Sequence, residues 1–245
     1  MNTTLDHNLA AQKLEGRSPQ EILTWTLEEF YPRVSLASSF GAEDMVLIDM
    51  LAQIRPDARV FTLDTGRLPS ETYDLMAAVR QKYPQLQLEI MFPATEAVQS
   101  MVQEHGINLF YDSVENRKQC CYVRKVEPLN RALQGLDAWI TGLRRDQTDN
   151  RSNMQIVELD APRGIFKINP LIDWSNDQVW AYIRDRQVPY NALHDKNYPS
   201  IGCAPCTRSI EPGEDLRAGR WWWELSNQEC GLHVDADGKL VSAKA

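Results

Sequence analysis

No stretch of the 245-residue sequence is apolar for long enough to span a bilayer; Met45 to Ile54, among the longest candidates, is interrupted by Asp49. Nor does Met1 to Leu9 offer a basic cluster followed by an apolar run, so a secretory signal is not expected. Internal repeats, low-complexity tracts and linkers are missing too. Positive charge is in short supply: 26 Lys and Arg stand against 34 Asp and Glu, a net charge of −8. Such a surface repels phosphodiester backbones and argues against a nucleic-acid partner, while leaving room for a basic pocket inside the acidic average. Cysteine is scarce, with five residues. These absences describe a soluble, cytoplasmic chain with no membrane and no nucleic acid among its partners. In that compartment thiols stay reduced, so the cysteines are not expected to be disulfide staples. A homo-oligomer is compatible with everything in the sequence.

What is present is an ordinary globular composition, 43% hydrophobic and 24% charged, enough for a full core. Ser18-Pro19-Gln20-Glu21 reads as a capping box that opens a helix to about Phe30. Val34 to Ala37 reads as a strand, and Val46, Leu47, Met50, Leu51 and Ile54 fall on one helical face. The alternation continues with strands at 59–63, 86–91 and 138–141, and helices at about 70–83, 95–105 and from Cys120 or Cys121 to Leu133. Ser175-Asn176-Asp177-Gln178 is a second capping box, opening a helix to about Arg186. Strand–helix alternation implies an α/β fold, a mainly parallel twisted sheet with helices on both faces. Residues 1–206 are expected to form a single α/β nucleotide-binding domain. Residues 207–245, where Pro212, Gly213, Gly219 and Gly238 interrupt a stretch that holds Trp221 to Trp223, would be a mobile segment laid over it and not an independent domain. Ligands of such sheets bind at the carboxyl ends of the strands, which puts Ser38 to Asp44, Asp64 to Gly66 and Gly142 to Arg151 on one rim.

Four cysteines stand in two close pairs, Cys120-Cys121 and Cys203-x-x-Cys206, with Cys230 alone. Four thiolates suit either a structural zinc or an iron–sulfur cluster. Adjacent ligands crowd one tetrahedral ion, whereas a 4Fe-4S cube spreads its ligands over four irons, which favours the cluster. Buried apolar cysteines are the plainer alternative. Lys125, four residues after Cys121, with Arg124 and Arg208, would offset the negative charge of a four-thiolate site. Cys230, with His233 three residues on and Arg217 and Arg220 upstream, is either an ordinary thiol or a nucleophile activated by those cations. Arg144, Arg145 and Arg151 follow a strand, and arginine forks match phosphate and sulfate oxygens. Ser38, Ser39 and Gly41 form a strand-to-helix turn whose backbone N–H groups suit an anion, a pattern also common for purely structural reasons.

Together these residues resemble the assimilatory sulfonucleotide reductases, and specifically the cluster-bearing adenylyl sulfate (APS) reductases. The resemblance runs from about Ser35 to His233. It is carried by Ser38-Ser39-Phe40-Gly41-Ala42-Glu43-Asp44, Leu63-Asp64-Thr65-Gly66, Cys120-Cys121 with Arg124-Lys125, and Thr141-Gly142-Leu143-Arg144-Arg145-Asp146-Gln147. Further along come Ile201-Gly202-Cys203-Ala204-Pro205-Cys206-Thr207-Arg208, Gly219-Arg220-Trp221-Trp222-Trp223-Glu224 and Glu229-Cys230-Gly231-Leu232-His233. It implies an adenine nucleotide α-hydrolase-like fold and one 4Fe-4S cluster on Cys120, Cys121, Cys203 and Cys206. It also implies that Cys230, aided by His233 and Lys125, takes the sulfo group from APS, and that reduced thioredoxin or a similar dithiol protein then releases sulfite. By the same resemblance Arg151, Arg217 and Arg220 hold the phosphosulfate, with Arg144 and Arg145 as helpers. Ser38, Ser39, Gly41, Asp44, Asp64, Thr65 and Gly66 would then line the nucleotide. Three rival expectations stand beside this one: the same reaction on the 3′-phosphorylated nucleotide (PAPS), a tRNA-thiolating adenylating enzyme, and a non-enzymatic iron–sulfur sensor.

Overall fold

The computed structural model describes residues 5–147 and 153–224. Arg151, Cys230 and His233 lie outside these residues. The chain divides into two compact units, one of Met1–Thr62, Leu75–Glu89 and Gly135–Tyr190, the other of Leu63–Asp74, Ile90–Gln134 and Asn191–Ala245.

Strands β1 (Val34–Ser38), β2 (Arg59–Leu63), β3 (Gln87–Met91), β4 (Ala138–Ile140), β5 (Val157–Asp160) and β6 (Ile165–Ile168) form one sheet in the order β3-β2-β1-β4-β6-β5. β1 runs parallel to both β2 and β4, and β4 runs parallel to β6; only β5 is antiparallel to its neighbour, among the pairs described. Leu36 aligns with Val60 on one side and Ile140 on the other. The central strands β1 and β4 are buried almost throughout, as strands covered on both faces are. The expected α/β class and mainly parallel sheet are therefore present.

The helices are α1 (His7–Leu14), α2 (Pro19–Phe30), α3 (Ala42–Ile54), α4 (Ser70–Lys82), α5 (Thr95–His105), α6 (Val114–Cys121), α7 (Glu127–Ala132) and α8 (Asn176–Asp185). Both expected capping boxes form, with Ser18 and Ser175 each exchanging hydrogen bonds with the residue three further on. α2 and α3 pack against β1, and α3 packs against α8.

Three differences from expectation have local causes. Asp6 caps α1 by accepting from the Asn8 and Leu9 backbone N–H groups, a start signal that sequence patterning passed over. β5 and β6 form a hairpin whose turn closes on Gly164 in the left-handed region. The helix expected to begin at Cys120 or Cys121 begins instead at Val114, with Ser113 as its cap. It does not run on evenly: Tyr122–Val126 is a π-helical stretch joining α6 to α7. The cysteine pair therefore ends one helix instead of starting another.

Candidate functional site

In the first unit the chain reverses its lateral direction at β1: β2 lies to one side and β4 to the other. In open α/β sheets that switch point, at the carboxyl ends of the strands, is where a ligand crevice forms. The two loops that leave it are Ser39–Gly41 and Thr141–Arg145, and they meet closely. A Cβ on Gly142 would sit 2.5 Å from Asp44 Oδ1 and 3.0 Å from Glu43 Cβ, so only glycine fits there. Phe40 is buried and takes φ 61°, and its N–H donates to Ser38 Oγ at 3.1 Å. The sharp turn that results points Ser39 back at α3. The Ser39 N–H and hydroxyl both donate to Asp44 Oδ2, at 2.6 and 2.8 Å. Burial pushes the Asp44 carboxyl up to about 6, against the pull of the Ser39 and Gly41 donors.

Arg144 and Arg145 follow β4, as the sequence suggests, but each is held by the protein itself. Arg144 is buried; its Nε donates to Glu43 Oε1 at 2.9 Å and its Nη1 to the Trp174 carbonyl at 3.1 Å, with Asp146 on the same nitrogen. Gln147 donates to the same Glu43 oxygen at 2.9 Å. Arg145 donates from Nε to the Met154 carbonyl at 2.9 Å and pairs with Asp173. Glu43 was not singled out in the sequence, and nothing local signals its role, because its partners are about a hundred residues away. In this arrangement the two arginines shape the rim first.

In the second unit, Asp64-Thr65-Gly66 forms a tight turn. Gly66 N–H donates to Asp64 Oδ1 at 2.8 Å, and the Tyr73 hydroxyl donates to the same oxygen at 2.9 Å. Burial and that bond raise the Tyr73 phenol to about 12, fixing it as a donor. Thr65, fully buried, lies 3.2 Å from Cys203 Sγ through its hydroxyl, and its carbonyl accepts from Arg124 Nη1 at 2.7 Å.

Cys120, Cys203 and Cys206 share one packed cluster with Met101, Leu109, Phe110 and Trp221. Cys121 is buried at the end of the same helix as Cys120. Burial pushes the Cys206 thiol up to about 12; Cys203 and Cys120 add to this, while Lys125 and Arg220 oppose it. Burial also raises Cys120, opposed first by Arg124. Arg124 thus acts chiefly on Cys120, and Lys125 together with Arg220 on Cys206. The π-helical stretch holds the consecutive Arg124 and Lys125, and the expectation that Lys125 sits one regular turn beyond Cys121 gives way to this geometry. Among the described residues no three His, Cys, Asp or Glu side chains are gathered as one metal ion would require.

Arg220 is buried beside Cys206, with Nε 3.4 Å from the Cys206 carbonyl and its guanidinium 4.8 Å from the Trp221 ring centre. A Cβ on Gly202 would lie 2.3 Å from that guanidinium, so Gly202 makes the space it occupies. The Arg217 backbone N–H donates to Asp215 Oδ1 at 2.8 Å. The structure therefore brings the Asp64-Thr65-Gly66 turn, through Thr65, against the cluster of Cys120, Cys203 and Cys206, where Lys125 and Arg220 also act.

The chain matches the phosphoadenosine phosphosulfate reductase domain family over residues 33–209. It is 53% identical to the adenosine 5′-phosphosulfate reductase of Allochromatium vinosum over 201 residues, which span 82% of this chain and 78% of that protein. Against the adenosine 5′-phosphosulfate reductase of Burkholderia cepacia it is 51% identical over 207 residues, 84% of this chain and 82% of the other. The crystal structure of a phosphoadenylyl-sulfate reductase from Candida auris, in a phosphate complex, superposes with a TM-score of 0.72 at 33% identity, covering 83% of this chain and 96% of that one. An FMN adenylyltransferase from Candida glabrata superposes with a TM-score of 0.54 at 13% identity, a likeness of fold alone.

Proposed function

Because the chain belongs to the phosphoadenosine phosphosulfate reductase domain family, we propose that it reduces APS to sulfite and AMP in sulfate assimilation. The likeness to APS reductases at about half identity, over some four-fifths of the chain, carries this reading. The chain is an oxidoreductase acting on a sulfur group.

The chemistry is the one that the family likeness implies for the matching residues. Cys230 as thiolate attacks the sulfur of APS; the new S–S bond forms as the sulfur–phosphate oxygen bond breaks, and AMP leaves with the electron pair. A thiolate of reduced thioredoxin, or of a similar dithiol protein, then attacks the Cys230 sulfur and expels sulfite. Its second thiol resolves the mixed disulfide, so the dithiol is oxidised and Cys230 returns as a thiol. His233 would support the thiolate, and Lys125 would lend positive charge. Arg151, Arg217 and Arg220 match the family's phosphosulfate positions; Ser38, Ser39, Gly41, Asp44, Asp64, Thr65 and Gly66 match its nucleotide positions. Residues 207–245 would act as the segment that carries the nucleophile. No helix among the described residues is long and apolar enough to cross a membrane, in keeping with work in the cytoplasm.

Cys120, Cys121, Cys203 and Cys206 would hold a 4Fe-4S cluster. The donor set fits it: four cysteines, three packed together, with Thr65, Arg124, Lys125 and Arg220 supplying a hydrogen bond and positive charge around them. When bound, the cluster would supply support and a local electrostatic setting, not reducing equivalents. Its ligands are spread over four irons, so the tight grouping needed by a single ion is not required.

PAPS is the second substrate to weigh, since the Candida auris neighbour bears that name. Sulfite release by the reconstituted protein with thioredoxin, measured on each nucleotide, decides between them. Higher kcat/KM on APS is expected; turnover of PAPS alone would move the substrate, and turnover of neither would sink the reading.

A further inference from the structure

We propose that the buried Arg117–Glu224 ion pair is a positioning device: it ties the helix that ends in Cys120-Cys121 to the base of the segment that carries Cys230. The proposal rests on the reductase reading and extends it to two residues whose side chains are almost fully buried.

The pair spans 107 residues of sequence, and both side chains are almost fully buried, at 4% and 5% exposure. Arg117 Nη2 donates to Glu224 Oε2 at 3.1 Å, and Arg117 Nε donates to Glu224 Oε1. Two parallel bonds from a planar fork fix direction as well as distance. Stability alone is a poor reason for such a pair, because well-packed apolar residues in its place are often as stable or more so. A geometric requirement is the better reason.

The geometry supplies one. Arg117 lies on α6 three residues before Cys120 and four before Cys121, the spacing of neighbours on one helical face. Its guanidinium stands 4.5 Å from the centre of the buried Trp221 ring, which also receives Arg220 at 4.8 Å. The stretch around Trp221 is held from the other cysteine pair as well. Thr207 bridges Arg220, the Arg208 N–H donates to the Gly219 carbonyl at 2.9 Å, and the Trp221 N–H reaches the Cys206 carbonyl at 3.4 Å. Residues 219–224 thus join both cysteine pairs, and Glu224 is the last of the described residues. Cys230 follows six residues later, so its thiol must act within about 20 Å of that point. Moving the anchor moves the region the nucleophile can reach. Through this pair the helix that ends in Cys120-Cys121 and the chain leading to Cys230 become parts of one mechanism.

The test uses full-length, cluster-loaded protein and two principal variants, with Arg117→Lys as a third. Glu224→Gln keeps the shape and removes the charge. The pair Arg117→Met with Glu224→Met removes the fork while keeping an apolar, foldable interior. Three quantities are measured: iron and sulfide content, KM for APS, and the single-turnover rate of sulfo transfer to Cys230. Iron, sulfide and KM should stay within about twofold of wild type while kcat and the single-turnover rate fall on the order of 100-fold, the loss that misplacement of about 1 Å produces. Arg117→Lys, which keeps the charge without the fork, should fall between. Wild-type rates in both variants would overturn the proposal, as would losses that merely track iron content. Wild-type protein that forms no adduct would sink the reductase reading, and the anchor with it.

Discussion

Asp44 shows what a single buried carboxylate does at the rim of the sheet. Its carboxyl is raised from 3.8 to about 6 by burial, which the Ser39 and Gly41 donors only partly offset. The folded chain therefore holds that proton more tightly than the unfolded chain does. Ionised Asp44 costs stability above about pH 6, and the cost vanishes below about pH 4. Roughly two pKa units correspond to about 3 kcal/mol. In urea denaturation, the stability of wild type relative to Asp44→Asn should fall by about that amount between about pH 4 and about pH 7. A difference constant across this range would contradict the assignment. The same loop shows where sequence reasoning stops at the level of residues. Ser38, Ser39 and Gly41 are legible as a turn, and the arginines after β4 as cations suited to anions. That Glu43 already holds Arg144 depends on residues 101 apart meeting, and no local pattern encodes it.

At the scale of elements, α3 carries a buried carboxylate with a different task. Asp49 accepts from the Tyr83 hydroxyl at 2.7 Å, the Tyr182 hydroxyl at 2.8 Å and the Gln53 amide at 2.6 Å. Three segments, α3, the end of α4 and α8, are joined at one side chain. Burial and the bonds to Asp49 raise both phenols, Tyr182 to about 12, so each remains a donor. Asp49→Ala leaves two hydroxyls without their acceptor and should cost about 2–4 kcal/mol, whereas Tyr182→Phe, which removes one donor, should cost about 1 kcal/mol. Equal midpoints for Asp49→Ala and wild type in chemical denaturation would refute the network. In the sequence Asp49 shows only as an interruption in an apolar run. Both capping boxes were legible because their chemistry is confined to four residues. The π-helical stretch was not, because nothing in the run Tyr122–Val126 itself marks it off from a regular helical turn.

For the whole molecule, strand–helix alternation is enough to give the parallel sheet, and the order β3-β2-β1-β4-β6-β5 then places the Ser39–Gly41 and Thr141–Arg145 loops at its switch point. The two-unit division is invisible in the sequence, since each unit is assembled from three separated stretches. The cysteine pattern carried most of the chemistry, because ligand spacing survives as a local signal whatever the tertiary path between the pairs. The central claim, covalent sulfo transfer to Cys230, is tested most directly by mixing cluster-loaded protein with sulfur-labelled APS, without thioredoxin, and weighing the intact protein. The account predicts one added sulfo group on wild type, none on Cys230→Ser, and its loss as sulfite when reduced thioredoxin is added. Cluster-loaded wild type that gains no mass from APS or PAPS would contradict it.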